Sequence, residues 1–135
     1  MKQKTITAII EASKDGFGVY SNDLPGITGF GESVDDAKKD FLEALSETIK
    51  TYNESRQQLP KELNNGNIKL NYKYDVTSIF DYFELNASLF AERINLNPSL
   101  LRQYKGKQAR PSEKQKKKIQ DGLHQLGKEL LAVRL

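Results

Sequence analysis

The chain contains no cysteine and only one histidine among its 135 residues. Without cysteine it has no disulfide framework and no thiolate metal site. It also lacks an apolar run long enough to cross a bilayer, which takes about 20 residues. The opening stretch, residues 1–16, turns polar too early for a secretory signal peptide. We therefore expect a cytoplasmic protein that does not enter a membrane.

The scarcity of catalytic side chains argues against an enzyme. His124 lies among leucines near the end of the chain, and no second histidine, cysteine or serine constellation accompanies it. We interpret it as a boundary or dimer-interface residue rather than a general base. A two-metal nuclease needs several converging carboxylates, and the predicted strands offer Glu11 and little else. We predict no catalytic residue, no metal site and no cofactor.

Residues 88–111 have the pattern of two short helices joined by a tight turn. The first helix is expected to present one apolar face, formed by Leu89, Phe90, Ala91 and Ile94. Asn95 follows where a left-handed backbone is needed, and asparagine accepts that conformation better than most residues. Leu96 is predicted to fill the space between the two helices. This pattern is typical of a helix–turn–helix.

The second helix of this unit carries side chains suited to DNA. Asn97 is predicted to cap it and Pro98 to occupy its first position, with Leu100 and Tyr104 facing the core. The candidate DNA-binding residues are Asn97, Ser99, Arg102, Gln103, Lys105, Lys107 and Arg110. Between residues 97 and 118 there are eight Lys and Arg against one acid. The alternative interpretation of this segment is a solvated basic face on a small helical bundle.

The chemistry of these side chains predicts two kinds of DNA contact. Arginine and glutamine can read base edges in the major groove, so we expect Ser99, Arg102 and Gln103 to contact bases. Lysine and short polar groups more naturally bind phosphates, a role we assign to Asn97, Lys105, Lys107 and Arg110. A dimer would then read half-sites about 34 Å apart, one turn of DNA.

The segment resembles the lambda-repressor (Xre-type) helix–turn–helix. The residues that carry the resemblance are Phe90-Ala91, Asn95, Ser99, Gly106-Lys107 and Pro111-Ser112. Two positions depart from that pattern. The family usually has glycine where this chain has Asn95, and often a phosphate-binding glutamine where it has Ala87.

The first half of the chain has a different character, with a net charge of −3 over residues 1–65. Residues 5–12 and 17–21 are predicted to form a hairpin around the turn at 13–16, and residues 27–31 a third strand. Ser33 should cap a long helix, whose apolar stripe is Val34, Ala37, Phe41, Leu45, Ile49 and Tyr52. Residues 67–74 alternate as a fourth strand.

These elements predict an α+β protein of two domains. Residues 1–75 form the β-β-β-α-β domain, and residues 76–135 form an all-α helix–turn–helix domain. The last helix carries a leucine-rich stripe, which can pack on the helix–turn–helix or on a second copy of the chain. The stripe consists of Ile119, Leu123, Leu126, Leu130 and Leu131.

The N-terminal pattern resembles the HicB antitoxin family. The residues concerned are Leu24, Pro25, Gly26, Gly31, Glu32 and Ser33, followed by the acidic helix. The resemblance implies a partial RNase-H-like domain that covers the active site of a HicA-like toxin, an mRNA-cleaving enzyme. It also implies that the C-terminal domain binds operator double-stranded DNA of its own operon, as a homodimer or higher homo-oligomer.

A toxin that binds RNA should be basic, so an acidic surface would steer its encounter with the antitoxin. The candidate toxin-binding residues are Glu32, Asp35, Asp36, Asp40, Glu43 and Glu47, although an ordinary solvated helix face would look the same. Another alternative is a stand-alone transcriptional repressor whose N-terminal domain senses a small ligand. The sequence shows no convergent polar set to line such a pocket. An RNA-binding accessory protein is disfavoured because aromatic and basic residues are not interleaved on a predicted sheet.

Overall fold

The structure is a computed structural model that describes residues 2–135. It is a mixed α+β protein with one four-stranded sheet and several helices. The chain separates into two compact units, the first reaching Ile79 and the second spanning Phe80–Leu135. The division falls inside α2 (Val76–Tyr82).

The N-terminal unit contains the sheet and one long helix. Its elements are β1 (Lys4–Ser13), β2 (Gly16–Tyr20), β3 (Thr28–Gly31), α1 (Val34–Glu54), a 3-10 helix (Lys61–Gly66) and β4 (Ile68–Tyr74). The strand order is β3-β2-β1-β4. The first three strands pair antiparallel, in agreement with the predicted hairpin and third strand, and β4 pairs parallel to β1.

Helix α1 covers one face of the sheet. The Ser33 hydroxyl accepts a hydrogen bond from the Asp36 N–H at 3.1 Å, so the predicted cap is confirmed. The core combines alternate residues of β1 and β2 with the apolar stripe of α1, including Ile6, Ala8, Ile10, Phe17, Val19, Ala37, Phe41 and Leu45. At Gly29 the helix comes so close that an added Cβ would lie 2.4 Å from the backbone nitrogen of Phe41. Only glycine fits that approach.

The C-terminal unit is helical. It contains the end of α2, then α3 (Ala87–Arg93), α4 (Pro98–Lys105) and α5 (Glu113–Ala132). Its core consists of Phe80, Ala87, Phe90, Ala91, Leu96, Leu101, Tyr104 and Ile119. The rings of Phe80 and Phe90 meet edge to face, with centroids 5.4 Å apart, a favourable arrangement for an aromatic pair.

Two predicted core positions are wrong. Leu89 is 64% exposed, because Ala87, Phe90 and Ala91 share the inward face of α3 and Leu89 points away from it. Leu101 is fully buried, whereas Leu100 is only half-buried. Leu101 and Tyr104 lie three residues apart on one helix face, and Leu100 is rotated by about 100° from Leu101.

Candidate functional site

The turn between α3 and α4 has the geometry predicted from the sequence. Asn95 adopts the left-handed backbone, with φ 57°. The Leu96 side chain is buried between the helices, and its N–H donates to the Ala91 carbonyl at 2.8 Å. Asn97 Oδ1 accepts a hydrogen bond from the Ser99 N–H at 2.8 Å and thereby caps α4. Lys118, on α5, donates to the Asn95 carbonyl at 2.8 Å and secures the turn from outside.

The candidate DNA-binding side chains lie around α4 and the segment that follows it. Ser99, Arg102 and Gln103 are exposed on the helix, opposite the buried Leu101 and Tyr104. Lys107 and Arg110 are exposed beyond its end, and Lys107 has a φ of 62°. The helix therefore offers a solvent-facing polar and basic surface on a firmly packed support.

Two of the cations have partners within the unit. Arg102 Nη1 donates to the Ser88 hydroxyl at 2.8 Å, across from α4 to α3. Lys105 Nζ lies 2.8 Å from Asp81 Oδ1 on α2. Both cations border a shallow groove, which is lined by Leu85, Asn86, Ala87, Ser88, Arg102, Lys105 and Gly106. The sequence did not predict these partners, because helical spacing shows which side chains are exposed and not which of them meet across two helices.

The acidic residues of α1 form a stripe on its solvent side. Asp36, Asp40, Glu43 and Glu47 follow helical spacing and are all exposed, as are Glu32 and Asp35 near the start of the helix. Asp40 also has a local role, since its Oδ2 accepts a hydrogen bond from the Phe30 N–H at 2.8 Å. The structure thus brings four of the six candidate toxin-binding residues onto one helix face.

Aromatic side chains and a lysine lie on the sheet face away from α1. Strand register places Tyr20 and Lys73 on either side of Ile9, so the three side chains share that face, and Phe30 on β3 is 53% exposed. Burial, and then the carboxylates of Asp75 and Glu11, raise the pKa of Tyr20 above its ordinary value. The negatively charged Asp75 and Glu11 therefore lie near the Tyr20 ring.

A cleft of about 630 Å³ opens in the N-terminal unit beside the Leu24-Pro25-Gly26 turn. Leu24, Pro25, Gly26, Ile27, Tyr52, Pro60 and Leu63 supply most of its walls, and Lys4, Asn22, Asp23, Thr48 and Glu62 supply polar groups. The sequence predicted no such convergent set. The lining residues come from four separate parts of the chain, so no local sequence pattern predicts the cleft.

The end of α5 is apolar and uncovered. Ile119 is buried and Leu123 and Leu126 are half-buried, but Leu130 and Leu131 are 61% and 88% exposed. The stripe predicted from the sequence therefore packs within the unit only over its first half. Val133, just past the helix, adds a further side chain that is 60% exposed.

Searches against family models, curated proteins and solved structures found no match to this chain. None of the helices formed by residues 2–135 is both long and apolar enough to cross a bilayer. Across the same residues, no three histidine or acidic side chains come together as a metal-binding group. The turn at Asn95 with the exposed face of α4 beyond it is the candidate site whose geometry was predicted in most detail from the sequence.

Proposed function

We propose that this chain is a cytoplasmic antitoxin of the HicB type, which neutralises a HicA-like mRNA-cleaving toxin and binds operator DNA to regulate its own operon. Residues 76–135 bind the DNA, and residues 1–75, a partial RNase-H-like domain, bind the toxin. The chain itself has no catalytic role in this proposal.

The observation that carries the DNA-binding half is the left-handed turn at Asn95 with the exposed face of α4 beyond it. Leu96, Leu101 and Tyr104 hold the helix firmly, which leaves Ser99 and Gln103 projecting where a major groove would receive them. Gln103 can form a bidentate pair with adenine. Lys107 and Arg110 lie beyond the helix end, where they can bind phosphates.

The acidic stripe of α1 supports the toxin-binding half. Four exposed carboxylates on one helix face, at Asp36, Asp40, Glu43 and Glu47, make a surface complementary to a basic RNA-binding enzyme. Lys50 and Glu54 pair with each other at 3.8 Å further along the helix. None of the four carboxylates of the stripe forms an ion pair within residues 2–135, so the stripe ends before the paired last turns of α1.

The exposed end of α5 supports self-association. The leucine stripe leaves the core at Leu126 and continues into solvent through Leu130, so a second copy offering the same stripe would bury it in a two-fold interface. Leu130→Glu is expected to shift the chain from dimer to monomer in size-exclusion chromatography with light scattering. Lys128→Glu, at a neighbouring exposed position outside the stripe, serves as the control. A dimer that persists in Leu130→Glu would contradict this interface.

The toxin-binding half is tested by purifying the tagged full-length chain from its native cells and identifying its partner by mass spectrometry. We expect a near-stoichiometric small basic protein that degrades RNA when freed and stops doing so when the chain is added back. Replacing Glu43 and Glu47 with lysine should release it, whereas lysine at Asp15 and Glu54 should not. Recovery without such a partner, or release by both pairs alike, would refute this half of the proposal.

The cleft beside Leu24-Pro25-Gly26 favours a second candidate function, a repressor whose N-terminal domain senses a small ligand. Its mixture of apolar walls with Lys4, Asp23 and Glu62 matches the usual composition of ligand sites. Native mass spectrometry of the chain purified from its own cells discriminates the two, since a sensor would carry a small molecule instead of a protein. An RNA-binding role is weaker, because Glu11 and Asp75 beside Tyr20 would repel phosphates.

A further inference from the structure

The groove between α3 and α4 contains two cations whose surroundings differ from those of the other candidate DNA-binding residues. Arg102 and Lys105 lie three residues apart on α4 and line the groove together with Ser88. Asp81 contacts Lys105 from α2, and it does not line the groove. Both charged lining residues are cations, and Arg102 is the one that has no ion-pair partner among residues 2–135, since Asp81 lies 2.8 Å from Lys105.

We propose that this groove binds one phosphate of the DNA backbone. Arg102 and Lys105 are its ligands, Ser88 positions the Arg102 guanidinium, and Asp81 competes with the phosphate for Lys105. The inference rests on the proposed DNA-binding function, and it gives Arg102 a backbone contact where the sequence alone predicts a base contact.

The hydrogen bond to Ser88 directs Arg102 toward α3. One guanidinium nitrogen donates to a neutral hydroxyl, which neither cancels the charge nor uses most of the five N–H donors. No ion pair formed within residues 2–135 involves Arg102. The side chain is therefore held in place with its charge and its paired donors available, and phosphate is an anion that such a fork binds with two parallel hydrogen bonds.

Lys105 has a carboxylate partner that an arriving phosphate can replace. The Asp81 side chain is 75% exposed and that of Lys105 is 37% exposed. Ion pairs this accessible contribute little to stability, so exchange of Asp81 for a phosphate costs little. In the free protein the same pair keeps the lysine at the edge of the groove.

The test uses the full-length chain with a duplex that it selects from a random pool and with a scrambled duplex of the same length. Arg102→Ala should weaken binding to both duplexes by a similar factor, on the order of tenfold. It should also lower the slope of log affinity against log salt by about one unit. Arg102→Lys should retain that slope, and Ser88→Ala should weaken both duplexes while leaving the slope unchanged. Lys128→Ala, at an exposed lysine of α5, is the matched control.

A loss confined to the selected duplex, with relaxed preference at one base pair, would show that Arg102 reads a base and overturn the proposal. Unchanged affinity of Arg102→Ala for both duplexes would overturn it as well. If the wild-type chain enriches no duplex, the proposed DNA-binding function itself fails. That outcome differs from the two above, in which the chain binds DNA but the groove does not bind a phosphate. Thermal unfolding of each variant confirms that the chain remains folded.

A separate variant tests whether Asp81 competes with the DNA phosphate for Lys105. Asp81→Asn should raise the affinity for both duplexes by about two- to fivefold at low salt, and the gain should shrink as salt screens the charges. Asp121→Asn removes the same charge from an ion pair on α5, where Asp121 lies 3.1 Å from Lys117, and should change the affinity less. A fall in affinity for Asp81→Asn would show that Asp81 positions Lys105 for DNA instead of competing for it.

Discussion

Replacing Leu101 with alanine should unfold much of the C-terminal unit without touching any residue proposed to bind DNA. Leu101 has no exposed surface, and truncation of a fully buried leucine to alanine costs about 2–5 kcal/mol. A domain the size of Phe80–Leu135 rarely has more than about 3–5 kcal/mol in total. The substitution therefore removes most of the stability of the unit, and the proposed DNA binding should be lost with it.

Hydrogen exchange of the full-length chain, read by mass spectrometry, measures this effect locally. Peptides from α3, α4 and α5 should lose most of their protection in Leu101→Ala, with α1 peptides as the reference. Leu100→Ala is the matched control, because it removes the same atoms from a half-buried position one residue away. Equal or greater loss of protection in Leu100→Ala would refute the assignment of the core-facing side of α4.

Three further perturbations test other parts of the fold. Gly29→Ala should destabilise the N-terminal unit by about 1–3 kcal/mol in urea unfolding, because its Cβ would lie 2.4 Å from a backbone nitrogen of α1. Gly18→Ala should be tolerated, because the nearest atom would lie 3.9 Å from its Cβ. Equal effects of the two substitutions would refute this account. Asn95→Gly should raise the thermal stability of the C-terminal unit by up to about 1 kcal/mol, since glycine adopts a φ of 57° without strain, and a lower melting temperature would contradict that account. Burial, and then two nearby carboxylates, raise the pKa of Tyr20, so the stability that Tyr20 contributes is complete below about pH 10 and is lost as pH rises through the raised pKa. Tyr20→Phe should therefore reduce the fall of the urea midpoint at alkaline pH. If the urea midpoints of the variant and the wild type fall in parallel with pH, Tyr20 does not contribute.

Local signals in the sequence were sufficient where local chemistry decides the structure. The Ser33 cap, the left-handed Asn95 and the Asn97 cap each depend on one residue and its immediate neighbours, and all three are confirmed. The strand and helix pattern of the N-terminal half was predictable for the same reason. Alternation along β4 and the stripe along α1 follow directly from the periods of two and 3.6 residues.

Helix phase and long-range contacts were not predictable in this way. A short helix such as α4 leaves its apolar face ambiguous when two leucines are adjacent, and only packing against α3 decides that Leu101 enters the core. The bond from Arg102 to Ser88 joins residues 14 apart in sequence. The cleft beside Leu24 gathers side chains from Lys4 to Leu63. No short window of sequence contains these arrangements.

The acidic stripe and the basic helix–turn–helix lie in different units, and each unit has its own core. This separation permits variants that alter one proposed interaction and leave the other as an internal control. A Glu43 and Glu47 variant that no longer holds the toxin should still bind DNA, and a Gln103 variant should still hold the toxin.

Sequence-specific binding of DNA through α4 is the central claim, and footprinting of the full-length chain on the DNA upstream of its own gene tests it most directly. We expect two protected half-sites about 34 Å apart, one helical turn, in the major groove. Gln103→Ala should weaken protection at one base pair in each half-site by about 1–3 kcal/mol. Uniform, sequence-independent protection that disappears with moderate salt and does not respond to Gln103→Ala would contradict the claim.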